Sequence, residues 1–404
     1  MFVVPKSAGG HPRIVIGLAV AGVLAASAFA AVQTSAPAEA RPVASAPLPR
    51  PPLAVVEALP QLAAELDAQP RFMGGVLVAR GDQVLFRQVY GMADADQGRA
   101  SELGTRFRLA SVSKQFTAVA ILKLQDEGKL QVSDPVCRWI QPCPEAWAQL
   151  RIHHLLSHSS GIPDLMARPA WGLRRVTPAT IDELTEDSKA FKLSFPPGTK
   201  VRYNNAGFNL AAAIVEKASG MAYADYLQSA LFAALDMADT GLGETTDMAM
   251  GHANFPQGLT TQPQANVSIV AGAGALYSTL DDILVWQRAL HRGQVLTPSS
   301  YAQLITDHAP LDTPPERGRP HRAWGYGMFV NSLGWQVQPA FGDRQIYHTG
   351  SWSGFRNLVT YQPEADVTVI VLSNNYHQRD QVFLISQQAM AEALGRPFPG
   401  GLDR

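Results

Sequence analysis

The 404-residue sequence has little cysteine and almost no net charge, and each shortage excludes a class of protein. Its two cysteines are too few for the disulfide framework of a small secreted module. The formal net charge is −1 and no run of like charges occurs, so the chain lacks the positive surface of a nucleic-acid-binding protein. No internal repeat of the kind that builds solenoids is visible. With 46% hydrophobic residues, the chain can form one large domain or two mid-sized ones around a sizeable core.

A long apolar run near the N-terminus is typical of a targeting segment. Lys6 and Arg13 precede it, the run covers residues 14–32, and small-residue cleavage sites follow. We expect residues 1–33 to be a cleaved signal peptide. An uncleaved membrane anchor is the alternative, because the run reaches the roughly 18 residues that span a bilayer. Either way the rest of the chain lies outside the cytoplasm, since the positive flank stays inside.

The remaining chain divides into a linker, one domain and a tail. Residues 34–53 are rich in proline and alanine and predict an extended linker. We expect the domain over residues 54–396 and a tail over residues 397–404. Within the domain, Cys137 and Cys143 stand close together in sequence. In an oxidising compartment they predict a local disulfide that staples the loop between them, with two free thiols or an unrelated buried pair as the alternatives.

The pattern of strands and helices predicts an α+β fold. A short helix precedes "GGVLVAR" and "QVLFRQVYG", which flank Gly81-Asp82, a hairpin signal. Residues 112–296 are mostly helical in pattern, and strands return in "GYGMFV", "RQIYHTG", "RNLVTYQ" and "VTVIVLSNN" before a final helix near residues 381–394. We therefore expect an antiparallel sheet built from both chain ends, flanked by helices, with a mostly helical inserted subdomain.

One helix start in the stretch "RLASVSKQFTAVAILKL" combines a hydroxyl with an amine. Ser111 and Lys114 are three residues apart, so they share a helix face. Taken alone, Ser111 fits a helix cap better than a nucleophile. A buried lysine, however, loses charge and can accept a proton, and the helix N-terminus offers amides that stabilise an oxyanion. The pair therefore contains the parts of an activated nucleophile.

Two further stretches carry polar residues at turns. "VRYNNAGF" places Tyr203 and Asn205 before a helix, where a core aromatic and a helix cap would fit equally well. "YHTGSWSGF" places His348 on an apolar strand and Gly350 at its bend. A satisfied edge-strand histidine and a β-bulge glycine are the structural alternatives there.

Together these stretches resemble the serine β-lactamase and penicillin-binding-protein superfamily. The likeness is to its class C β-lactamase and D-alanyl-D-alanine carboxypeptidase branch, with the related esterases. It runs from about residue 53 to about residue 394, and the motifs stand in the family's order: "SVSKQF", "IHHLLSHSSGIPDL", "YNNAGF", "GAGALYSTLDDILVW" and "HTGSWSGF". The resemblance implies a β-lactamase/transpeptidase-like fold.

The resemblance also implies a role for each matching residue. Ser111 matches the acylated nucleophile, and Lys114 matches its partner in proton transfer. Tyr203 matches the phenol that, as phenolate, takes the serine proton and returns it to the leaving group. Asn205 matches the amide that orients the substrate and the lysine. The backbone N–H groups of Ser111 and Ser351 match the oxyanion hole.

One motif departs from the branch. Its lactamases usually carry Lys-Thr-Gly where this chain has His348-Thr349-Gly350. Lysine holds a full positive charge for a substrate carboxylate, whereas histidine holds it only in part near neutral pH. We therefore expect hydrolysis of an ester, amide or D-peptide bond through an acyl-enzyme on Ser111. A true β-lactamase and a slow-turnover penicillin-binding sensor are the alternatives.

These assignments set the remaining expectations. We expect a small-molecule or peptide substrate, no nucleic acid, no cofactor and no metal, and a monomeric enzyme. Its place is the periplasm, either free or anchored to the inner membrane with the catalytic domain in the periplasm. Loops over residues 167–192 and 308–323 are expected to set the substrate preference.

Two other patterns are given structural roles. His154 and His158 are four residues apart and could offer two metal ligands on one helix face. No glutamate stands between them in the pattern of metalloproteases, so packing is expected. The glycine-rich "AGAGAL" at residues 271–276 lacks the preceding strand and distant acid of a nucleotide site, and a short packed turn is expected there.

Overall fold

The structure, a computed structural model, describes residues 59–68, 71–168, 170–263, 265–310, 323–330 and 344–398. The predicted targeting segment, the linker, most of the loop over residues 308–323 and the end of the tail lie outside these ranges. The described residues belong to one compact unit, Arg50–Arg404. Among them, no helix is both long enough and apolar enough to cross a membrane.

A five-stranded antiparallel sheet joins the two ends of the domain. The described strands are β1 Gly74–Arg80, β2 Gln83–Tyr90, β3 Met92–Asp94, β4 Arg99–Ala100, β5 Phe107–Arg108, β6 Gly241–Leu242, β7 His252–Phe255, β8 Gly258–Thr261, β9 Leu276–Ser278, β10 Ile346–Trp352, β11 Phe355–Gln362 and β12 Val367–Ser373. The five strands of this sheet run in the order β10-β11-β12-β1-β2, so the first strands of the chain pair with the last. The α+β prediction, with a sheet built from both termini, is confirmed.

Helices lie between the two groups of sheet strands in sequence and also before the first and after the last strand, and together they cover both faces of the sheet. They are α1 Pro60–Asp67, α2 Lys114–Asp126, α3 Ile152–Leu156, α4 Trp171–Arg174, α5 Ile181–Lys189, α6 Ala206–Ser219, α7 Tyr223–Leu227, α8 Ala271–Gly274, α9 Leu280–His291, α10 Pro298–Leu304 and α11 Arg379–Ala393. The 3₁₀ turn Ala110–Ser113 runs directly into α2.

The alternation of side chains along the strands divides the core in two. On β12, Ile370 and Leu372 face the cluster that contains α2 and α6, while Val369 and Val371 face the cluster that contains α1 and α11. Both sets are fully buried. Because successive strand residues point to opposite faces, a run such as "VTVIVLS" without polar alternation is what a sheet covered on both sides requires.

One predicted strand is wrong. The stretch "GYGMFV" contains no strand, and only Phe329 forms isolated bridges, to Trp324 and Tyr347. Gly327 has a φ of 67°, and a Cβ atom there would lie 2.6 Å from the backbone oxygen of Lys114. The segment therefore turns where it passes α2, and this close approach requires glycine rather than an extended chain.

Cys137 and Cys143 form a disulfide, and the described residues contain no free cysteine. Both cysteines pack against the main core cluster, in the loop that precedes α3. The bond lies outside the cleft described below, whose lining residues do not include either sulfur. It therefore staples a loop without taking part in the chemistry of that cleft.

Candidate active site

The turn before α2 presents Ser111 to a cleft. Ala110 has a φ of 51°, in the left-handed region that a non-glycine residue occupies only when its surroundings hold it there. Its neighbours in the turn are buried, whereas Ser111 is partly exposed. No side-chain hydrogen bond caps the turn or the start of α2. The Ser111 hydroxyl is therefore not used as a helix cap.

Lys114 lies directly behind Ser111 and is fully buried. Its Nζ lies 3.3 Å from Ser111 Oγ and donates to Asn205 Oδ1 at 2.8 Å and to the backbone oxygen of Ala273 at 2.8 Å. Burial lowers the pKa of Lys114 to about 7, and the carboxylate of Asp164 only partly opposes this shift. A large share of the amine is therefore neutral at pH 7.

Tyr203 stands beside both groups. Lys114 Nζ lies 4.8 Å from the centroid of the Tyr203 ring, and the phenol interacts with the Ser111 hydroxyl. Burial raises the pKa of Tyr203 well above its usual value, more than the hydrogen bond to Ser111 lowers it. The resting phenol is therefore neutral. This differs from the expected phenolate, because desolvation acts on the tyrosine and on the lysine alike and leaves no full positive charge to stabilise an anion.

Asn205 connects Lys114 to a carboxylate that the sequence reasoning missed. Its Nδ2 donates to Asp164 Oδ2 at 3.1 Å while its Oδ1 accepts from Lys114. Asp164 ends the motif "SSGIPD", where a Pro-Asp pair signals a turn. The Pro-Asp pair predicts a turn, but nothing in the sequence predicts that this turn lies beside the start of α6, whose first residue follows Asn205.

His348 lies on β10 but is only 2% exposed. Its Nδ1 donates to the backbone oxygen of Thr349, and its Nε2 has no partner among the described residues. Burial, together with the nearby charge of Lys114, lowers the pKa of His348 to about 3. His348 therefore carries even less positive charge at neutral pH than the partial charge expected of an ordinary histidine. The ring lies 6.2 Å from Tyr203, centroid to centroid, and does not line the cleft.

Gly350 brings β10 against the nucleophile turn. A Cβ atom there would lie 2.3 Å from the backbone oxygen of Leu109. On the neighbouring strand, Asn357 Nδ2 donates to the backbone oxygens of Arg108 and Leu109, at 2.8 and 3.1 Å, and ties the same turn to the sheet. The turn and the strand thus place Ser111 and Ser351 in the wall of one cleft. That the backbone N–H groups of Ser111 and Ser351 form an oxyanion hole stays a prediction.

This contact makes the Gly350→Ala variant informative. The methyl group would force β10 away from the turn, because a backbone oxygen cannot yield as a flexible side chain can. We expect kcat to fall by about 10²-fold, the effect of losing one oxyanion donor. Steady-state rates with a p-nitrophenyl ester measure it. Gly220→Ala, at the C-terminus of α6 in open space, is the control for general glycine strain. A Gly350→Ala enzyme with full kcat would contradict the assignment.

The cleft itself has a volume of about 430 Å³. Most of its lining is apolar or small, and Asp164 is its one charged member. The lining residues are Ala110, Ser111, Asp164, Met166, Ala167, Tyr203, Asn205, Val270, Ala273, Gly274, Ser351 and Trp352. Of the loops expected to set substrate preference, the one beginning at Ala167 does reach the cleft, whereas most of residues 308–323 lie outside the described ranges.

The two histidines of the α3 segment make separate contacts. His154 Nδ1 accepts from the backbone N–H of Arg151, and His158 Nδ1 accepts from that of Asn204. His158 follows the end of α3 with a φ of 59°, and its ring lies 4.6 Å from that of Tyr203. The glycine-rich segment is a short buried helix, α8, and the backbone oxygen of its Ala273 accepts a hydrogen bond from Lys114. That contribution was not foreseen.

A serine, a buried lysine and a neutral tyrosine at the edge of an antiparallel sheet define a class. Fold and site are those of a serine hydrolase of the β-lactamase and penicillin-binding-protein superfamily. The family model described as Beta-lactamase matches residues 59–389, and the chain belongs to that family.

Individual relatives agree with this membership. Penicillin-binding protein 4* of Bacillus subtilis is 28% identical over 355 residues, covering 82% of this chain and 75% of the relative. Esterase EstB of Burkholderia gladioli is 28% identical, and the match covers 78% of this chain and 91% of the esterase. D-aminopeptidase of Gluconobacter oxydans is 26% identical, covering 80% and 59%. The crystal structure of a penicillin-binding protein from Bacillus halodurans superposes with a TM-score of 0.67 at 24% identity, covering 83% and 98%, and supports the fold.

Proposed function

We propose that this chain is an exported hydrolase that cleaves an ester, amide or D-peptide bond through an acyl-enzyme on Ser111. The observation that carries the proposal is the 3.3 Å contact between Ser111 Oγ and the amine of Lys114, whose pKa burial lowers to about 7. A lysine that is largely neutral near pH 7 can accept the serine proton, whereas an ordinary lysine cannot.

Acylation then follows from the positions of three side chains. Lys114 takes the proton of Ser111 as the Ser111 oxygen attacks the carbonyl carbon of the substrate. The electrons of the carbonyl double bond move onto the carbonyl oxygen. N–H groups of Ser111 and Ser351 bind that oxyanion. Tyr203 donates its proton to the leaving alcohol or amine and regains one from the Lys114 ammonium. The leaving group departs and an ester of Ser111 remains.

Deacylation reverses the roles with water in place of the leaving group. The neutral Tyr203 relays a proton from the attacking water to the Lys114 amine, and the Ser111 oxygen leaves with a proton from the Lys114 ammonium. The free acid and the resting serine are restored, with atoms and protons balanced. No cofactor or metal is needed for either half.

The substrate class is inferred from the charges near the nucleophile. Neutral His348 gives no positive charge for the carboxylate of a β-lactam, which favours ester, amide or D-peptide cleavage. A depression of 130 Å³ adjoins Ser351 and is lined also by Thr349, Arg356 and Arg379. The guanidinium groups of Arg356 and Arg379 offer another site for a carboxylate, so D-peptides stay among the candidates and a β-lactam stays the alternative. The printed names of the relatives, an esterase and a D-aminopeptidase, support the same range.

Export is part of the proposal. The apolar run over residues 14–32 and its positive flank support a signal peptide or an anchor. The Cys137–Cys143 disulfide supports an oxidising compartment such as the periplasm. A monomer that acts on a small molecule or peptide, without nucleic acid, completes the proposed picture.

A substrate panel tests the function. Purified protein is assayed with p-nitrophenyl butyrate, a D-alanyl-D-alanine peptide and nitrocefin, and is labelled with a fluorescent penicillin. We expect ester or peptide turnover to exceed nitrocefin turnover, because the neutral His348 side chain offers no positive charge to the carboxylate of nitrocefin. Nitrocefin as the best substrate would mean a true β-lactamase. Stoichiometric penicillin labelling with no turnover of any substrate would mean a sensor.

A further inference from the structure

Residues 171–178, called the α4 knob below, expose apolar side chains to solvent. Leu173 is 75% exposed and Val176 is 54% exposed, and no other large apolar side chain among the described residues is as exposed as either. The Val176 N–H donates to the backbone oxygen of Leu173 at 3.3 Å, so the helical turn continues to this point. Because residues three apart share a helix face, the two side chains point to the same side of the knob. Together they form an apolar surface that another molecule can cover.

The inner side of the knob is tied to the rest of the domain. Trp171 packs against the main core cluster. Three residues later, Arg174 Nε donates to Asp187 Oδ2 on α5 at 3.0 Å. After the helix, the backbone oxygen of Arg175 accepts from the N–H of Asn266 at 2.8 Å. These contacts hold the knob in place while its outer apolar side chains stay in water, so the exposure belongs to the folded domain.

The charged residues in and next to the knob have one sign. Between residues 165 and 180 the charged side chains are three arginines, with no aspartate or glutamate. One of the three is paired with Asp187, whereas the exposed Arg175 takes part in none of the ion pairs that the described residues form. The guanidinium of Arg168 lies 3.6 Å from the centroid of the Phe191 ring, another exposed apolar side chain. Apolar side chains and positive charge thus occur together here.

This combination fits an anionic lipid surface. A lipid leaflet has negatively charged headgroups above apolar chains, so apolar side chains can enter it while a neighbouring arginine binds headgroup phosphates. The guanidinium group suits that position, since it binds phosphate with two hydrogen bonds and its long stem can lie along apolar material. A leaflet offers both features at every point of its surface, whereas a protein partner would need an apolar pocket with an acidic group placed beside it.

We propose that the α4 knob docks the domain on an anionic lipid surface, with Leu173 and Val176 in the apolar layer and Arg175 at the headgroup phosphates. Ala167, which lines the cleft, precedes Trp171 by four residues and lies within about 14 Å of it even along an extended chain. Docking therefore brings the mouth of the cleft close to the lipid. The contact does not depend on which bond the enzyme cleaves, so it can be tested apart from the proposed function.

A fluorescent label on the knob tests the docking. The two cysteines of the chain form a disulfide, so a Leu173→Cys variant of the full chain has a single thiol for the dye NBD, whose emission strengthens and shifts to the blue in apolar surroundings. We expect this response, and quenching by nitroxide lipids, with vesicles of phosphatidylcholine and phosphatidylglycerol but not with phosphatidylcholine alone. Gln83→Cys, labelled in the same way, is the control, because its strand pairing places it at the opposite end of the sheet from Ser351.

Substitutions beside the label separate the two parts of the docking surface. Val176→Asp removes apolar contact, and Arg175→Glu reverses the charge. Each should lower the ratio of inserted to free label on anionic vesicles by at least about tenfold. Arg80→Glu, at the exposed end of β1, is the matched charge control and should leave the ratio unchanged. Residues 1–58 are the same in every variant, so lipid binding through them cannot produce the difference.

Three results would overturn the proposal. A label at position 173 that responds to no vesicle would mean that lipid does not cover the knob and that a protein partner is the better candidate. An equal response to neutral and anionic vesicles would mean that headgroup charge plays no part. A response that survives both Val176→Asp and Arg175→Glu in folded protein, as judged by thermal unfolding, would mean that other residues make the contact. None of these results bears on whether Ser111 is acylated.

Discussion

Replacing Ser111 with alanine should reduce kcat by at least about 10⁴-fold on every substrate that the wild-type protein turns over. Loss of a serine nucleophile removes the covalent route entirely, and measured losses in such enzymes are of this order or larger. Among the described residues, the partners of the Ser111 hydroxyl are Lys114 and Tyr203. Its removal should therefore cost no more than about 1 kcal/mol of stability. Rates with p-nitrophenyl butyrate and thermal unfolding measure both effects.

Intact mass spectrometry extends the Ser111→Ala test. Wild-type protein quenched during turnover should gain the mass of the acyl group, and the alanine variant should gain none. Ser133→Ala, on the exposed loop before the disulfide, is the control and should match the wild type in rate and in acylation. A folded Ser111→Ala protein that keeps more than a small fraction of the rate, or is still acylated, would refute the nucleophile assignment.

Local chemistry explains why much of the fold could be predicted. The β1–β2 hairpin turns at Gly81-Asp82, where glycine takes a φ of 53°, and the pairing next to the turn follows from that two-residue connection, as far as an irregularity at Val78 and Ala79. The final helix was predicted near residues 381–394 and spans Arg379–Ala393. In each case the residues that determine the structure are neighbours in sequence.

Structure that depends on distant partners was missed. The small sheet β5-β9-β6 has strands of two or three residues, too short for a period of two to be visible. Conversely, "GYGMFV" has the apolar residues of a strand, but Gly327 turns to pass the backbone of Lys114. Neither outcome could be read from the segment alone, because the deciding contact comes from another part of the chain.

The active site likewise has features that could be predicted from the sequence and features that could not. Ser111, Lys114, Tyr203 and Asn205 were singled out by type and spacing, and the structure brings them together. Their charge states were not predictable, since a pKa depends on burial and on the charges that face the group. Thus His348 and Tyr203 are neutral where partial charge and a phenolate were expected. The contributions of Asp164 and of the Ala273 backbone oxygen depend on contacts between distant segments.

Lys114 should set the pH dependence of the enzyme. As a base it works only when deprotonated, and its pKa is lowered to about 7. The value of kcat/KM should therefore rise with pH through about 7, level off above about 8, and fall about tenfold for each pH unit on the acid side. Ionisation of Tyr203 should have no effect below about pH 9, because burial raises its pKa. A pH profile of kcat/KM with a neutral ester measures the rise without titration of the substrate.

The Lys114→Arg variant keeps a positive charge at this position but removes the group that can act as a base. A guanidinium keeps its proton at every workable pH, so it cannot accept the proton of Ser111 although it preserves the positive charge. We expect kcat/KM to fall by about 10²- to 10⁴-fold, the usual contribution of a general base, and the rise near pH 7 to disappear. Lys123→Arg, on the same helix, should leave both the rate and the profile unchanged. Since the longer side chain could disturb Asn205 and the Ala273 carbonyl, Lys114→Met, which loses amine and charge together, is measured beside it. If either folded variant still shows a rise centred near pH 7, the titrating base is another group, and the proton of Ser111 must leave by a route that bypasses Lys114.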